Sequence, residues 1–251
     1  MDSKIQSKLL NINQNFYEHF SSSFSSTRSQ VQPGIHRLIQ QIGHNASILD
    51  VGCGNGTLAR ALAAQGFSGD YLGVDMSLSL LTKAKGLLGN PENGIYTFQQ
   101  ADLAAQNWHN DIAPGSYDWL VSFAVLHHLP GDDLRLQTAL AFNKLIKPDG
   151  YVAVSVWQWH NSPRLRKRVQ PWSNVEINPE ALDPGDVLLD WRAGETPGLR
   201  YVHTFTEGSL SNLAERAGFQ VSESFFSDGK TGDLALYQIW YRKHTTKKPA
   251  D

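Results

Sequence analysis

Apolar residues recur along this chain with two different periods, and the change falls near residue 47. Before it, Leu9, Leu10, Ile12, Phe16, Tyr17 and Phe20 share most of one helical face, and the serine-rich stretch Ser21 to Ser26 is expected to break that helix. A second helical pattern starts at about Gln30, carries Ile35, Leu38, Ile39 and Ile42, and stops at Gly43. Beyond residue 47, short apolar runs alternate with helical patterns, which predicts a layered α/β fold around a parallel sheet. Strands are predicted at residues 47–51, 71–75, 95–100, 117–123 and 151–157, the last introduced by the turn Pro148-Asp149-Gly150. Helices are predicted at 57–65, 77–88, 132–146 and 207–217. Two final strands, 219–226 and 234–241, flank the turn Ser227-Asp228-Gly229-Lys230, too short a link for anything but an antiparallel pair. Residues 158–206, rich in Pro, Trp, Arg and Gly, keep neither period and read as a functional cap inserted in the domain.

Composition narrows this picture only a little. The 251 residues, 41% of them hydrophobic, suffice for one sizeable core. A single cysteine, Cys53, allows no internal disulfide and no Cys-rich zinc site. No apolar run reaches membrane-spanning length, so the expectation is a cytoplasmic protein with no membrane partner and no resident metal.

The strongest chemical signal is Asp50-Val51-Gly52-Cys53-Gly54-Asn55-Gly56-Thr57, a buried strand entering three glycines at alternate positions and then a helix. Such a turn lets a ligand reach backbone N–H groups. A dinucleotide site wants Gly-x-Gly-x-x-Gly, but here the third glycine comes one residue early, and Asp50 would repel a diphosphate. Asp75 closes the second strand, where an acid meets ribose hydroxyls, and Asp102 follows the third, within reach of an adenine amino group. Together they describe a site for a cationic nucleoside, and S-adenosyl-L-methionine is the common cofactor of that description. Cys53 reads as a packed turn residue and not as a nucleophile.

Asp50 to Gly56, Gly73-Val74-Asp75-Met76-Ser77 and Ala101-Asp102-Leu103 resemble the first three motifs of class I S-adenosylmethionine-dependent methyltransferases. The resemblance implies a Rossmann-like, seven-stranded mixed sheet with a C-terminal antiparallel hairpin and helices on both faces. It also implies cofactor contacts from Cys53, Asn55, Met76, Ser77, Leu103 and Ala124. Further stretches are similar to the tRNA wobble-uridine carboxymethyl methyltransferases, both the stand-alone enzyme and the domain fused to an AlkB-type oxygenase. These are Asn15 to Phe20 with Phe24, Ser26-Thr27-Arg28 and Pro33, then Ala124 to Leu129, Gly185 to Trp191 and Arg200 to Phe205. That resemblance implies an N-terminal helical lid over residues 1–46, with Tyr17 and Arg28 closing on the methionine end of the cofactor. It also admits a small zinc-binding activator subunit as a partner. The chain departs from the family at Gln32-Pro33, Asp190-Trp191-Arg192 and Arg200-Tyr201-Val202-His203, all on the substrate-facing side.

Charge then refines the partner. The formal net charge of -2 argues against a generally basic nucleic-acid binder, and no DNA partner is expected. Yet Arg164, Arg166, Lys167 and Arg168 form one basic segment, and Arg242, Lys243, Lys247 and Lys248 a second. Without those eight, 14 basic residues face 24 acidic ones, an acidic body of -10. Trp157, Trp159, Trp172, Trp191 and Tyr201 interleave with the first segment, a pattern suited to stacking on an unpaired tRNA anticodon-loop base. A carboxylate acceptor is ionised at neutral pH and needs steering by Arg192, Arg200 and His203 but no base. A hydroxyl or amine acceptor needs one of His127, His128 or His203 as base. Three readings follow: a methyl-ester-forming tRNA enzyme, a methyltransferase for a small acid or phenol, and a non-catalytic cofactor-binding module.

Overall fold

A computed structural model of the chain describes residues 1–27, 31–192 and 198–243, with backbone alone for 21–27. Its strands are β1 (Ser47–Val51), β2 (Asp70–Asp75), β3 (Ile95–Gln100), β4 (Tyr117–Phe123), β5 (Ile146–Trp157), β6 (Val169–Gln170), β7 (Asp186–Trp191), β8 (Gly198–His203), β9 (Phe219–Ser227) and β10 (Ala235–Arg242). The helices are α1 (Ser3–Thr27), α2 (Pro33–Ile39), α3 (Thr57–Ala64), α4 (Leu78–Leu88), α5 (Asp132–Leu145), α6 (Pro163–Arg166) and α7 (Glu207–Arg216).

Seven strands form one sheet in the order β3-β2-β1-β4-β5-β10-β9. The first five run parallel, while β10 is antiparallel to both β5 and β9. Ile48, Leu49 and Val51 of β1 are fully buried, as a strand covered on both faces requires. Leu38, Leu58, Leu62 and Leu81 from α2, α3 and α4 pack on one face of the sheet. Phe142 and Leu145 of α5, with Leu210 and Leu213 of α7, pack on the other. Because β2 and β4 lie on opposite sides of β1, the chain reverses direction there and opens a crevice at the carboxyl ends of the strands.

The α/β expectation, the seven strands and the closing hairpin all hold, and three local expectations do not. The serine-rich stretch does not break α1, which continues to Thr27. Serine is only mildly unfavourable within a helix, and no glycine or proline occurs before Pro33 to stop it. The second helix is shorter than its apolar pattern, starting at Pro33, whose missing N–H suits a first turn. Residues 158–206 are not irregular, since β6, β7 and β8 form a separate antiparallel sheet. Its period is masked because buried positions are polar: Tyr201 and His203 both hydrogen-bond the same oxygen of Asp186. Among the described residues no helix is long and apolar enough to cross a membrane.

The helix α1 is fixed against this small sheet. Leu9 packs against Tyr201 and Ile177. Asn13 accepts from the Tyr201 N–H at 2.8 Å and donates to the carbonyls of His128 at 3.0 Å and Tyr201 at 3.2 Å.

Candidate active site

At the end of β1, Gly52, Gly54 and Gly56 take φ of 79, 55 and 70°, left-handed values that favour glycine. A Cβ on Gly52 would sit 2.2 Å from the Val125 side chain, whereas one on Gly54 would meet nothing within 4 Å. Gly52 is thus required for packing, and the Gly54 side of the turn stays open. The N–H groups of Gly52 and Cys53 donate to the Val74 carbonyl, tying the turn to β2.

Three acids surround this turn in different states. Asp50 is buried and accepts from the Tyr71 hydroxyl at 2.5 Å. Burial pushes its pKa up to about 7, opposed by the Tyr71 bond and assisted by the Asp75 charge. Asp75 accepts from the Gly54 N–H on one oxygen and the Ser77 N–H on the other, both at 2.9 Å. Burial raises its pKa despite those donors. Each of its oxygens keeps a lone pair for a further donor. Asp102 is exposed, and its side chain accepts from the Ala104 N–H at 2.9 Å. Burial, then the charges of Asp50 and Asp75, drives the Cys53 thiol far above its ordinary range, so it is no nucleophile.

These groups open on one cavity of about 760 Å³, shared with Tyr17, Asn55, Met76, Leu103 and Ala124. Ala124 holds φ of 58°, pinned by two 3.0 Å bonds from its N–H to the Ser155 carbonyl and hydroxyl. That conformation costs a non-glycine residue roughly 1–2 kcal/mol. The same cavity is also lined by Trp157, Arg164, Arg168, Trp191, Arg192 and Arg200. Arg200 is 2% exposed, and its Cζ lies 4.7, 4.9 and 5.0 Å from the rings of Phe16, Trp157 and Trp191. Such contacts fix the guanidinium plane and compensate part of its desolvation.

The histidines divide differently from the sequence reading. His128, expected on the substrate, lines the cavity, whereas His127 is buried behind it and its Nδ1 accepts from the Trp157 N–H at 3.2 Å. His203 faces a separate cleft of about 280 Å³ with Asp132, Arg135 and Arg216, its Nδ1 2.8 Å from Asp186. Tyr201 is fully buried and donates to the same Asp186 oxygen at 2.8 Å, so it offers no stacking surface. Strand alternation explains both, since β8 turns Arg200 toward the cavity and its neighbours Tyr201 and His203 away. Gly56 and Ser77 lie off the cavity wall as the caps of α3 and α4, and Arg166 and Lys167 are exposed outside it. Arg28 lies outside the described residues. Asn13, Tyr71 and the pair Asp228 and Tyr237 were missed. Asn13 alone left a signal, a polar residue on the apolar face of α1.

A glycine turn at the switch point of a parallel sheet, with acids after three successive strands, defines an α/β fold built to hold a nucleoside-bearing cation. A family profile described as a methyltransferase domain matches residues 24–224, and the chain belongs to that family, with S-adenosyl-L-methionine as its cofactor. It is similar to the tRNA (carboxymethyluridine(34)-5-O)-methyltransferase of Schizosaccharomyces pombe, 24% identical over 223 residues covering 82% of this chain and 88% of that protein. The mouse protein of that name, ALKBH8, is 26% identical over 171 residues, 64% of this chain but only 23% of that protein. A ubiquinone biosynthesis O-methyltransferase of Aliivibrio fischeri is 37% identical over 108 residues, 43% of this chain and 42% of that protein. The fold matches a SAM-dependent methyltransferase structure from Methanosarcina mazei with a TM-score of 0.63 at 22% identity, covering 85% of this chain and 98% of that one.

The residues fit the cofactor. The spare lone pairs of Asp75 suit two vicinal hydroxyls, the open side of Gly54 admits close approach, and Asp50 sits beside the space for a cationic end.

Proposed function

We propose that the chain methylates an ionised carboxylate, that of a carboxymethyl-type wobble uridine in tRNA, to its methyl ester. One observation supports this reading: the cavity lined by the three acids is also lined by four arginines, Arg164, Arg168, Arg192 and Arg200, and two tryptophans, Trp157 and Trp191. When bound, the cofactor supplies a sulfonium-borne methyl group for in-line displacement by an acceptor oxygen. The arginines steer and partly desolvate the anion, with Arg200 held in position by its three rings. No proton has to leave a carboxylate, so the engaged state of both His128 ring nitrogens is no handicap. Residues 1–46 act as the lid and 158–206 as the cap that receives the nucleotide. The basic segment Arg164 to Arg168, in which Arg164, Arg166 and Lys167 are exposed, meets phosphates, and Trp157 and Trp191 meet the base. The Schizosaccharomyces pombe relative supports this, since the similarity runs nearly end to end in both chains.

The second reading is a small acid or phenol as acceptor. It is favoured by the apolar wall of Leu10, Phe123, Val156 and Leu165 and by the Aliivibrio fischeri relative. A phenol requires a base, and His128 is the histidine on the cavity wall. Incubation with methyl-labelled cofactor and either bulk tRNA or a metabolite extract separates the two, with a zinc-binding activator subunit added in parallel. Label in tRNA supports the first reading. Label confined to metabolites, with tRNA inert under both conditions, rejects it.

A further inference from the structure

Asp190 is a buried acid that neither the sheet it belongs to nor the cofactor requires. Its side chain is 8% exposed, and its hydrogen bonds fall on one oxygen: Oδ2 accepts from the Arg192 Nε–H at 2.8 Å and from the Gln170 side-chain amide at 3.3 Å. Oδ1 is buried and has no hydrogen-bond partner among the described residues. A half-satisfied buried carboxylate costs stability, so its presence calls for a reason outside the fold.

What this carboxylate holds is Arg192. Residues two apart on an extended chain share a face, so Arg192, one residue beyond the end of β7, reaches back over Asp190. Only Nε of its guanidinium is engaged, and its two terminal amino groups have no hydrogen-bond partner among the described residues. The side chain is 61% exposed and lines the large cavity. A guanidinium held through Nε keeps its end-on pair of N–H groups for a second partner, the fork that meets two oxygens of one anion. The anchor itself is tied down. The Asp190 N–H donates to the Arg168 carbonyl at 2.9 Å, and the Gln170 amide also donates to that carbonyl, at 3.4 Å. Arg168 lines the same cavity, so the Asp190 residue registers Arg192 against the basic segment.

We propose that Asp190 is a positioning residue for the methyl acceptor: it fixes the Arg192 guanidinium so that its outer fork takes an oxyanion of the substrate, the acceptor carboxylate or a backbone phosphate. This inference rests on the tRNA reading. Both residues stand where the chain departs from the wobble-uridine family, so the device is this chain's own.

The sign of the effect separates positioning from bulk charge. An acid beside a basic segment repels RNA, so if only its charge mattered, removing Asp190 would tighten binding. If it anchors Arg192, removing it weakens binding. Fluorescence anisotropy on the full chain measures this with S-adenosylhomocysteine present, so that no methyl is transferred. Two labelled anticodon stem-loops are compared, one with carboxymethyluridine at the wobble position and one with uridine. Arg192→Gln is expected to weaken binding about 10-fold, the effect of one charged hydrogen-bonding group. Asp190→Leu is expected to weaken it about threefold to 10-fold, by returning rotamer freedom to Arg192. Its melting temperature should hold, because Arg192, the charge left behind, is exposed to water. Asp190→Asn, which keeps an acceptor for Nε, should fall between Asp190→Leu and the parent. In the Arg192→Gln background, Asp190→Leu should cost nothing more. Loss confined to the carboxymethyluridine RNA assigns the fork to the acceptor carboxylate, and equal loss on both RNAs assigns it to a phosphate. Unchanged or tighter binding by folded Asp190→Leu and Asp190→Asn proteins, additive losses, or unaltered binding by Arg192→Gln would each overturn the proposal. Parent protein that binds neither RNA overturns the tRNA reading and this inference with it, whereas a binding parent with indifferent variants overturns the inference alone.

Discussion

Replacing Asp75 by Asn is the sharpest probe of the cofactor site, because the change is nearly isosteric while the geometry around the carboxylate is tight. Each oxygen already accepts one backbone N–H, from Gly54 and from Ser77. An amide can satisfy only one of them, so the other donor faces an NH₂ group. An unmet donor of that kind costs about 1–3 kcal/mol, and less here because the site is open to water on the cavity side. For the cofactor the loss is larger. Two hydroxyl bonds to a carboxylate, each worth about 1.5–3 kcal/mol, become at best one to a neutral oxygen. A net loss of about 3 kcal/mol corresponds to roughly 150-fold in dissociation constant. Titration calorimetry with S-adenosylhomocysteine measures this directly, and thermal unfolding reports the structural part. A folded Asp75→Asn protein that binds within threefold of the parent refutes the assignment of the ribose to Asp75.

Three further outcomes follow from the same geometry. Gly52→Ala combines a left-handed φ with a 2.2 Å approach to Val125, and a stability loss of about 2–4 kcal/mol is expected in urea unfolding, against about 1 for Gly54→Ala. Asp50 has its folded pKa raised from 3.8 to about 7, so the folded state binds a proton the unfolded chain gives up. The stability contributed by this group should therefore be greatest in acid and fall by about 3 kcal/mol between pH 4 and 7, a slope absent in Asp50→Asn. Because a bound cation favours the carboxylate, cofactor affinity should instead rise with pH up to about 7, and calorimetry showing it fall would contradict the role of Asp50. Cys53, buried and with its thiol pKa pushed far up, should resist alkylation at neutral pH on the time scale of an exposed thiol, read by intact mass.

The cofactor half of this molecule is legible in its sequence because its parts are local. Gly52, Gly54 and Gly56 are dictated by backbone conformation within a few residues, and Asp50 and Asp75 by the ends of strands whose apolar runs are plain. The acceptor half is assembled from distant segments, and its logic is one of phase. Whether Arg200 or Tyr201 faces the cavity depends on a strand whose buried side is polar, so hydrophobic alternation carries no information there. His127 and His128 are adjacent in a single tight turn, and only the packing of Trp157 against one and Tyr17 against the other separates them. The continuation of α1 through six residues rich in serine was likewise not signalled, since serine weighs only mildly against a helix and no glycine or proline stops the helix there.

The central claim is that an anionic oxygen, not a deprotonated alcohol, receives the methyl group. It is tested most directly by reacting tRNA bearing carboxymethyluridine with methyl-labelled cofactor, followed by nucleoside mass spectrometry and mild alkali. The account predicts label on a single uridine derivative that alkali releases as methanol. Label that survives alkali, or tRNA left unlabelled while a small phenol is methylated, would contradict it.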